Sequence, residues 1–215
     1  MHLRKLVNTK IVILALSLLL LFAGTSAAQE LNFSIDGGTT FGNSFAIQSG
    51  SSTTVEVYLS EIAPDTTLTS EGLFGFALRG DLDAGSPGAI SAASINPQFD
   101  FPGTETFNAV AIQWQAAVFA NATPRGANIL LGNFQFDSSG AGTSTFAFSD
   151  LEPGNTSAEA GWITEEATEL DQLIFGSGAT DSFSLSLTAS AVPEPSSLVL
   201  LIGLATAILP GRRFR

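Results

Sequence analysis

The chain has 215 residues, no cysteine and a formal charge of −12, and that charge is unevenly placed. Residues 29–191 hold nineteen of the twenty carboxylates but only two basic side chains, Arg79 and Arg125, for a net charge of −17. A surface of that sign repels phosphate backbones and bare anionic membranes, which argues against nucleic acid as a partner and suits a soluble exported protein or one that takes divalent cations.

Residues 1–28 have the layout of a secretory signal peptide. Arg4, Lys5 and Lys10 form a charged start, Ile11–Ala23 an apolar run, and Ser26-Ala27-Ala28 a small-residue cleavage site with the cut expected after Ala28. The apolar run is 13 residues, short of the ~20 that span a bilayer. Export ordinarily permits disulfides, so a chain without cysteine has to be stabilised by its core.

From residue 29 onward the composition turns to Gly, Ser, Thr, Phe and Val, which favours strands and turns. Strands are expected in chain order at Leu31–Ile35, Phe45–Gln48 and Thr53–Ser60, where Val55, Val57 and Leu59 share a face opposite Glu56, Tyr58 and Ser60. Further strands are expected at Leu73–Arg79, Ile90–Ile95 and Ala109–Phe119, the last alternating Val110, Ile112, Trp114, Ala116 and Val118 with Gln113 and Gln115. Ile129–Asp137, Thr143–Ser149 and Ser182–Ser190 follow, with a short strand at Leu173–Phe175. One helical turn is expected within Ile163–Leu173. Turn signals such as Asp36-Gly37-Gly38, Gly85-Ser86-Pro87-Gly88 and Ser138-Ser139-Gly140 separate these segments. The expectation is all-β: a single β-sandwich or jelly roll of about nine strands over residues 29–191.

Residues 192–215 differ again. Val192-Pro193-Glu194-Pro195-Ser196-Ser197 leads into the apolar run Leu198–Leu209, closed by Arg212, Arg213 and Arg215. A Pro-x-Pro step cannot pair as a central strand and favours an extended backbone, and a terminal arginine cluster should remain cytoplasmic. In that order the triplet, apolar segment and arginines resemble the PEP-CTERM sorting signal. The resemblance implies recognition of Pro193-Glu194-Pro195 by a membrane-embedded exosortase after passage through the secretory translocon. Cleavage nearby would then free the protein to the cell surface or the extracellular matrix. It also implies a host that makes extracellular polysaccharide. One departure is length: 12 apolar residues at ~1.5 Å each fall short of a hydrocarbon core of ~30 Å, so the segment must thin the bilayer or draw on its flanks. Without cleavage it would remain a C-terminal anchor.

Residues 29–191 contain no His, Cys, Lys or Met. Imidazole-dependent nucleophilic triads, His or Cys zinc centres and Schiff-base chemistry therefore have no side chains to run on. A paired-carboxylate glycosidase needs only two acids, but most acids here read as solvated turn and edge residues, none in a strongly apolar strand centre. No cofactor is expected. Calcium is the one candidate metal: Asp81 and Asp83 place two carboxylates at i and i+2 beside Gly80 and Gly85, and Asp150 and Glu152 repeat the spacing. Trp162, in an expected loop after Gly161, is the candidate glycan contact, with Tyr58 as a second aromatic; Trp114, on an apolar strand face, reads as core.

Three segments also resemble the strand pattern of cohesin-like domains: Val55–Ser60, Gly126 to Phe136, and Gly142 to Phe148. That resemblance implies a nine-stranded sandwich that binds a partner protein. Together these readings describe a non-enzymatic surface protein with a structural or adhesive role in biofilm or exopolysaccharide. The alternatives are a carbohydrate-binding module and, second, a carboxylate-dependent glycosidase.

Overall fold

The computed structural model describes residues 28–153 and 161–191. The apolar run of the expected signal peptide and the whole 192–215 segment, with the expected sorting motif, lie outside the described residues. Among the described residues no helix is long and apolar enough to cross a membrane.

Eleven strands form two sheets. The first has the order β1 (Gln29–Ser34), β3 (Ser52–Glu61), β8 (Asn128–Ser138), β5 (Gly88–Ile95), all antiparallel. The second has the order β2 (Ser44–Gln48), β11 (Phe183–Ser190), β9 (Gly142–Asp150), β4 (Leu73–Leu82), β7 (Ala111–Ala117), β6 (Phe101–Asn108). The two-residue β10 (Ile163–Thr164) pairs with β4 at Gly75 and Leu73, in the space β9 leaves after its last pair, Leu78 with Asp150. Among the described residues only the β2–β11 pair is parallel. Two helical turns, α1 (Thr67–Ser70) and α2 (Asp171–Phe175), complete the described residues.

Period-two alternation produces this architecture directly. Val55, Val57 and Leu59 are wholly buried while Glu56 and Tyr58 between them reach the surface. Phe134, Phe136, Phe146 and Phe148 point between the sheets, with ring centroids 5.1 Å (Phe134–Phe146), 5.6 Å (Phe136–Phe146) and 6.1 Å (Phe134–Phe148) apart. Phe33 joins them 4.8 Å from Phe148. Tilted and edge contacts at these distances add to the area that each ring buries. This aromatic spine does the work that disulfides do in many exported domains. Glycine lets β5 start close against β8 within the first sheet: a Cβ on Gly88 would lie 2.3 Å from the Phe136 ring and 2.7 Å from the Asp137 carbonyl.

The structure corrects several local expectations. Leu173–Phe175 is the end of α2, not a strand, because Leu173 and Ile174 return their N–H groups to the Leu170 carbonyl. Val110, expected on the core face with Ile112 and Trp114, sits in the β6–β7 turn and is 55% exposed. Strand β6 was not anticipated; its Pro102-Gly103 step resembles a turn but forms an irregularity on an edge strand, the position where proline and an extra residue are tolerated.

The two ends of the sandwich differ. At one end the β2–β3 turn bonds to β8 through Gly50 N–H to Ser138 O, and to the last residue of β11 through Ser49 N–H to Ser190 O. Here too Ser139 N–H reaches Pro87 O, Leu82 N–H reaches Val110 O and Ile90 N–H reaches Ala109 O. This gathers the β2–β3, β4–β5, β6–β7 and β8–β9 turns around the exit of β11. The first residue of β1 lies at the opposite end, where Ile62 N–H donates to Ala28 O. Gln29 is fully buried there, its side-chain amide donating to Asp65.

Candidate functional site

Three clusters hold the chemistry-bearing residues, and the sequence singled out part of each. The first surrounds Trp162. The chain returns from β9 along the edge of β4, which drives Trp162 into the core: it is 1% exposed, between Phe76 at 5.7 Å and Phe175 at 5.4 Å. Its indole N–H donates to Ala77 O at 2.8 Å and its backbone N–H to Asp171 Oδ1 at 3.0 Å. The expected glycan contact at Trp162 is therefore corrected: the ring has no free face, and the residue ties the returning segment to β4.

Beside it are two enclosed carboxylates, Asp150 and Asp171, each 5% exposed. The reading of Asp150-Leu151-Glu152 as a solvated turn fails because β9 buries its own last residue. Burial pushes the Asp150 carboxyl up to about 6; the Glu152 N–H at 3.2 Å eases its charge, the Asp171 charge opposes it, and the Trp162 indole relieves it slightly. Among the described residues Asp150 Oδ2 has no hydrogen-bond partner. Burial likewise raises Asp171, against the pull of the Trp162 backbone N–H and with a push from Glu169. Walled in by an indole, the pair is placed inside the domain and not across a cleft, so it gives the glycosidase reading no support.

A stability effect follows. A carboxyl raised in the folded state binds its proton more tightly there than in the unfolded chain. Its contribution is complete below pH ~4 and is lost as pH climbs through about 6. Asp150→Asn should therefore gain stability over the parent at pH 7.5, by on the order of 1 kcal/mol once the cost of an unpartnered amide is subtracted. The gain should vanish by pH 4, as urea midpoints measured across that range will show.

The second cluster is the expected calcium pair. Asp81 is taken by Arg79, which donates from Nε at 2.7 Å and from Nη2 at 3.1 Å. Both side chains are about half exposed, so the pair adds little to stability. Asp83 lies beyond the strand in the β4–β5 turn. Asp81 and Asp83 thus do not form a shared oxygen cage. Among the described residues no group of three or more His, Cys, Asp or Glu is arranged to hold a metal ion.

The third cluster consists of aromatic rings at the surface. On the four-stranded sheet Tyr58 is partly buried, with Phe41 meeting it edge-on at 5.0 Å. The loop carrying Phe41 is locked by Asp36, whose Oδ1 accepts the N–H groups of Thr39 at 3.1 Å and Thr40 at 2.9 Å and the Ser34 hydroxyl at 2.8 Å. The Thr40 contact holds the Asp36 carboxyl below its usual range. Gly38 is required where this loop crosses the ring: its φ is +74°, and a Cβ would fall 2.6 Å from the Tyr58 hydroxyl. Tyr58 donates to Glu56 Oε2 at 3.1 Å and is pushed up to about 12, chiefly by burial and then by the charges of Glu56 and Asp36.

The more exposed pair was missed by sequence reasoning. Phe119 is 84% exposed and Phe101 44%, with ring centroids 6.3 Å apart, at the end of the sandwich away from the β11 exit. Phe119 is nonetheless held in place. Asp100 accepts the Phe119 N–H at 2.7 Å and the Ala120 N–H at 2.8 Å, and Asn121 donates to the Pro97 and Gln98 carbonyls at 3.1 and 3.2 Å. The available signal was period two itself: Phe119 falls on the face of Gln113 and Gln115, opposite Val118, the last buried residue of that run.

No family model matches this chain, and no curated protein matches it. Solved structures do. The sixth cohesin of scaffoldin B from Acetivibrio cellulolyticus, solved in complex with a Cel5 dockerin mutant, superposes with a TM-score of 0.50 at 11% identity, over 77% of this chain and 99% of that one. A cohesin of Clostridium acetobutylicum, CaCohA2, gives 0.48 at 12% identity, over 78% and 96%. The type III cohesin of the ScaE cell-surface anchoring scaffoldin of Ruminococcus flavefaciens gives 0.49 at 9% identity, over 77% and 89%. At these identities the likeness is one of fold: the domain is a cohesin-like β-sandwich.

Proposed function

We propose that this chain is an exported, non-catalytic adhesive module, sorted through a PEP-CTERM-type tail by an exosortase and delivered to the cell surface or an exopolysaccharide matrix. Two observations support the topology. Both ends of the sequence carry an apolar run flanked by basic residues, around a domain of net charge −17. The described strands also begin and end at opposite ends of the sandwich. Along β3, ten residues at ~3.3 Å each put the start of β1 roughly 30 Å from the β11 exit. Because β1 starts one residue after Ala28, an uncleaved leader and an inserted tail would pull on opposite ends of a folded domain, which favours removal of the leader.

The adhesive part rests on Phe119. A phenylalanine 84% exposed, paired with a second ring and carried on a loop whose backbone is held by four hydrogen bonds, is a preorganised contact and costs little entropy to use. The scaffoldin B cohesin binds a protein partner, a dockerin, and a protein partner is the occupant favoured for this face. Phe119→Ser should leave the unfolding free energy within about 0.5 kcal/mol, since little is buried, and should reduce the retention of the protein in the host's surface matrix several-fold. Unchanged retention in a folded variant would overturn the adhesive assignment.

Carbohydrate binding is the second reading, carried by Tyr58 and Phe41 beside Glu56 and Asp36. It expects slowed migration of the domain in gels containing the host polysaccharide, abolished in Tyr58→Ala and kept in Phe119→Ser.

A further inference from the structure

The acids are not spread evenly over the sandwich. The turns around the β11 exit are Gln48–Ser52, Asp83–Gly88, Asn108–Ala111 and Asp137–Thr143, joined by the hydrogen bonds described above. Apart from Asp83 and Asp137 they carry no charged side chain. Asp137 is also occupied, accepting the Ser52 hydroxyl at 2.5 Å. The rest of this surface is Gly, Ser, Ala and Pro with the neutral polar Gln48, Asn108 and Thr143, and Val110 is 55% exposed on it with Phe107 46% exposed at its margin. Phe107 and Asn108 line a shallow hollow of about 130 Å³ there, with Thr106, Ala111 and Gln113.

The opposite end is crowded with carboxylates. Glu61 caps α1 by accepting the Thr69 N–H, Asp65 accepts from Gln29 and Thr67, and Glu71 from Thr164. Asp100 and Glu165 lie at that end too, by their contacts with the Phe119 loop and Arg125.

We infer that the β11-exit end of the sandwich, centred on Val110 and the β8–β9 turn, is a membrane-facing surface that rests on lipid headgroups while the tail is inserted. The inference rests on the sorting-tail reading and adds to it an orientation and a contact surface. Ala191 to Ser197, between the end of β11 and the apolar run, is seven residues, at most roughly 25 Å when fully extended. The far end lies roughly 30 Å beyond the exit along β3, so a tether of that length cannot turn the domain over to set the far end face-on against the same bilayer. Electrostatics acts in the same direction. An anionic leaflet repels the acid-crowded end and leaves the nearly uncharged turns as the low-cost face, with an exposed valine and phenylalanine to meet the interface. It also leaves Phe119 and Phe101 pointing outward.

The absence of cysteine makes the test clean. Val110→Cys, Ala141→Cys and Glu166→Cys, all at exposed positions, are labelled with bimane in the full tail-bearing chain. The labelled chain is then incorporated into phosphatidylethanolamine–phosphatidylglycerol vesicles that contain headgroup-nitroxide lipid. The expected result is quenching several-fold greater at 110 and at 141 than at 166. Equal quenching at all three in a chain that floats with the vesicles, or stronger quenching at 166, would overturn the orientation alone. A chain that does not float with vesicles would overturn the tail reading and the orientation with it. Two independent labels on the exit end keep the outcome from depending on a single variant.

Discussion

Trp162→Ala is expected to destabilise the domain by about 4 kcal/mol, within the ~3–5 kcal/mol range of large aromatic deletions. The indole fills the space between Phe76 and Phe175, so its loss leaves a cavity walled by rings that cannot collapse without moving β4. It also removes a buried hydrogen bond, that to the Ala77 carbonyl, although Leu151 N–H still donates to the same oxygen at 3.1 Å. For a domain of this size the loss corresponds to a fall in Tm of roughly 8–16 °C. Trp162→Phe keeps most of the packing and loses the N–H, so it should cost about 1–2 kcal/mol. Thermal unfolding of both variants beside the parent separates the two contributions. A solvent-facing, sugar-stacking tryptophan would give the opposite pattern, with stability nearly unchanged and polysaccharide affinity lost.

The second large effect concerns the tail. If Pro193-Glu194-Pro195 is the exosortase determinant, Glu194→Ala in the native host should abolish processing. The shortened form should disappear from the surface fraction and a tail-bearing form should accumulate in the membrane, read by immunoblot against the domain. The substitution lies beyond β11 and leaves every described strand pair intact, so a folding defect would not mimic it. A mixed substitution, Glu194→Asp, should restore part of the processing if the carboxylate is what is read. An unchanged ratio of short to long forms in Glu194→Ala would show that the apolar run is simply an anchor.

The fold was legible wherever one sheet face is buried and the other wet. Val55, Val57 and Leu59, or Phe134 and Phe136, alternate so regularly that only a half-buried strand accommodates them, and the structure places them in β3 and β8. Legibility failed where tertiary contacts overrule local pattern. Strand β6 is an edge strand whose Pro102-Gly103 irregularity hides it, and Leu173–Phe175 is apolar enough for a strand but is wound into α2 by the Leu170 carbonyl. The surface chemistry was harder still. Trp162 and Asp150 look exposed because glycine, proline and acids surround them in the sequence, yet a return along β4 buries both, a long-range event with no local signature. Phe119 falls on the Gln113 and Gln115 face of its strand, opposite Val118, so its outward direction is legible, but the capture of its backbone N–H by Asp100 is not. Charge distribution, by contrast, could be counted from the sequence, but its concentration at one end of the sandwich emerges only once strand register sets which turns are neighbours.

Where this domain resides and what becomes of its ends is tested most directly by intact-mass analysis of the protein recovered from the cell surface or medium. The expected species begins at Gln29 and ends near Pro195, lacking both apolar runs. A species that still carries Arg215 at the membrane would contradict the sorting step, and an unprocessed 215-residue chain found freely soluble inside the cell would contradict export itself.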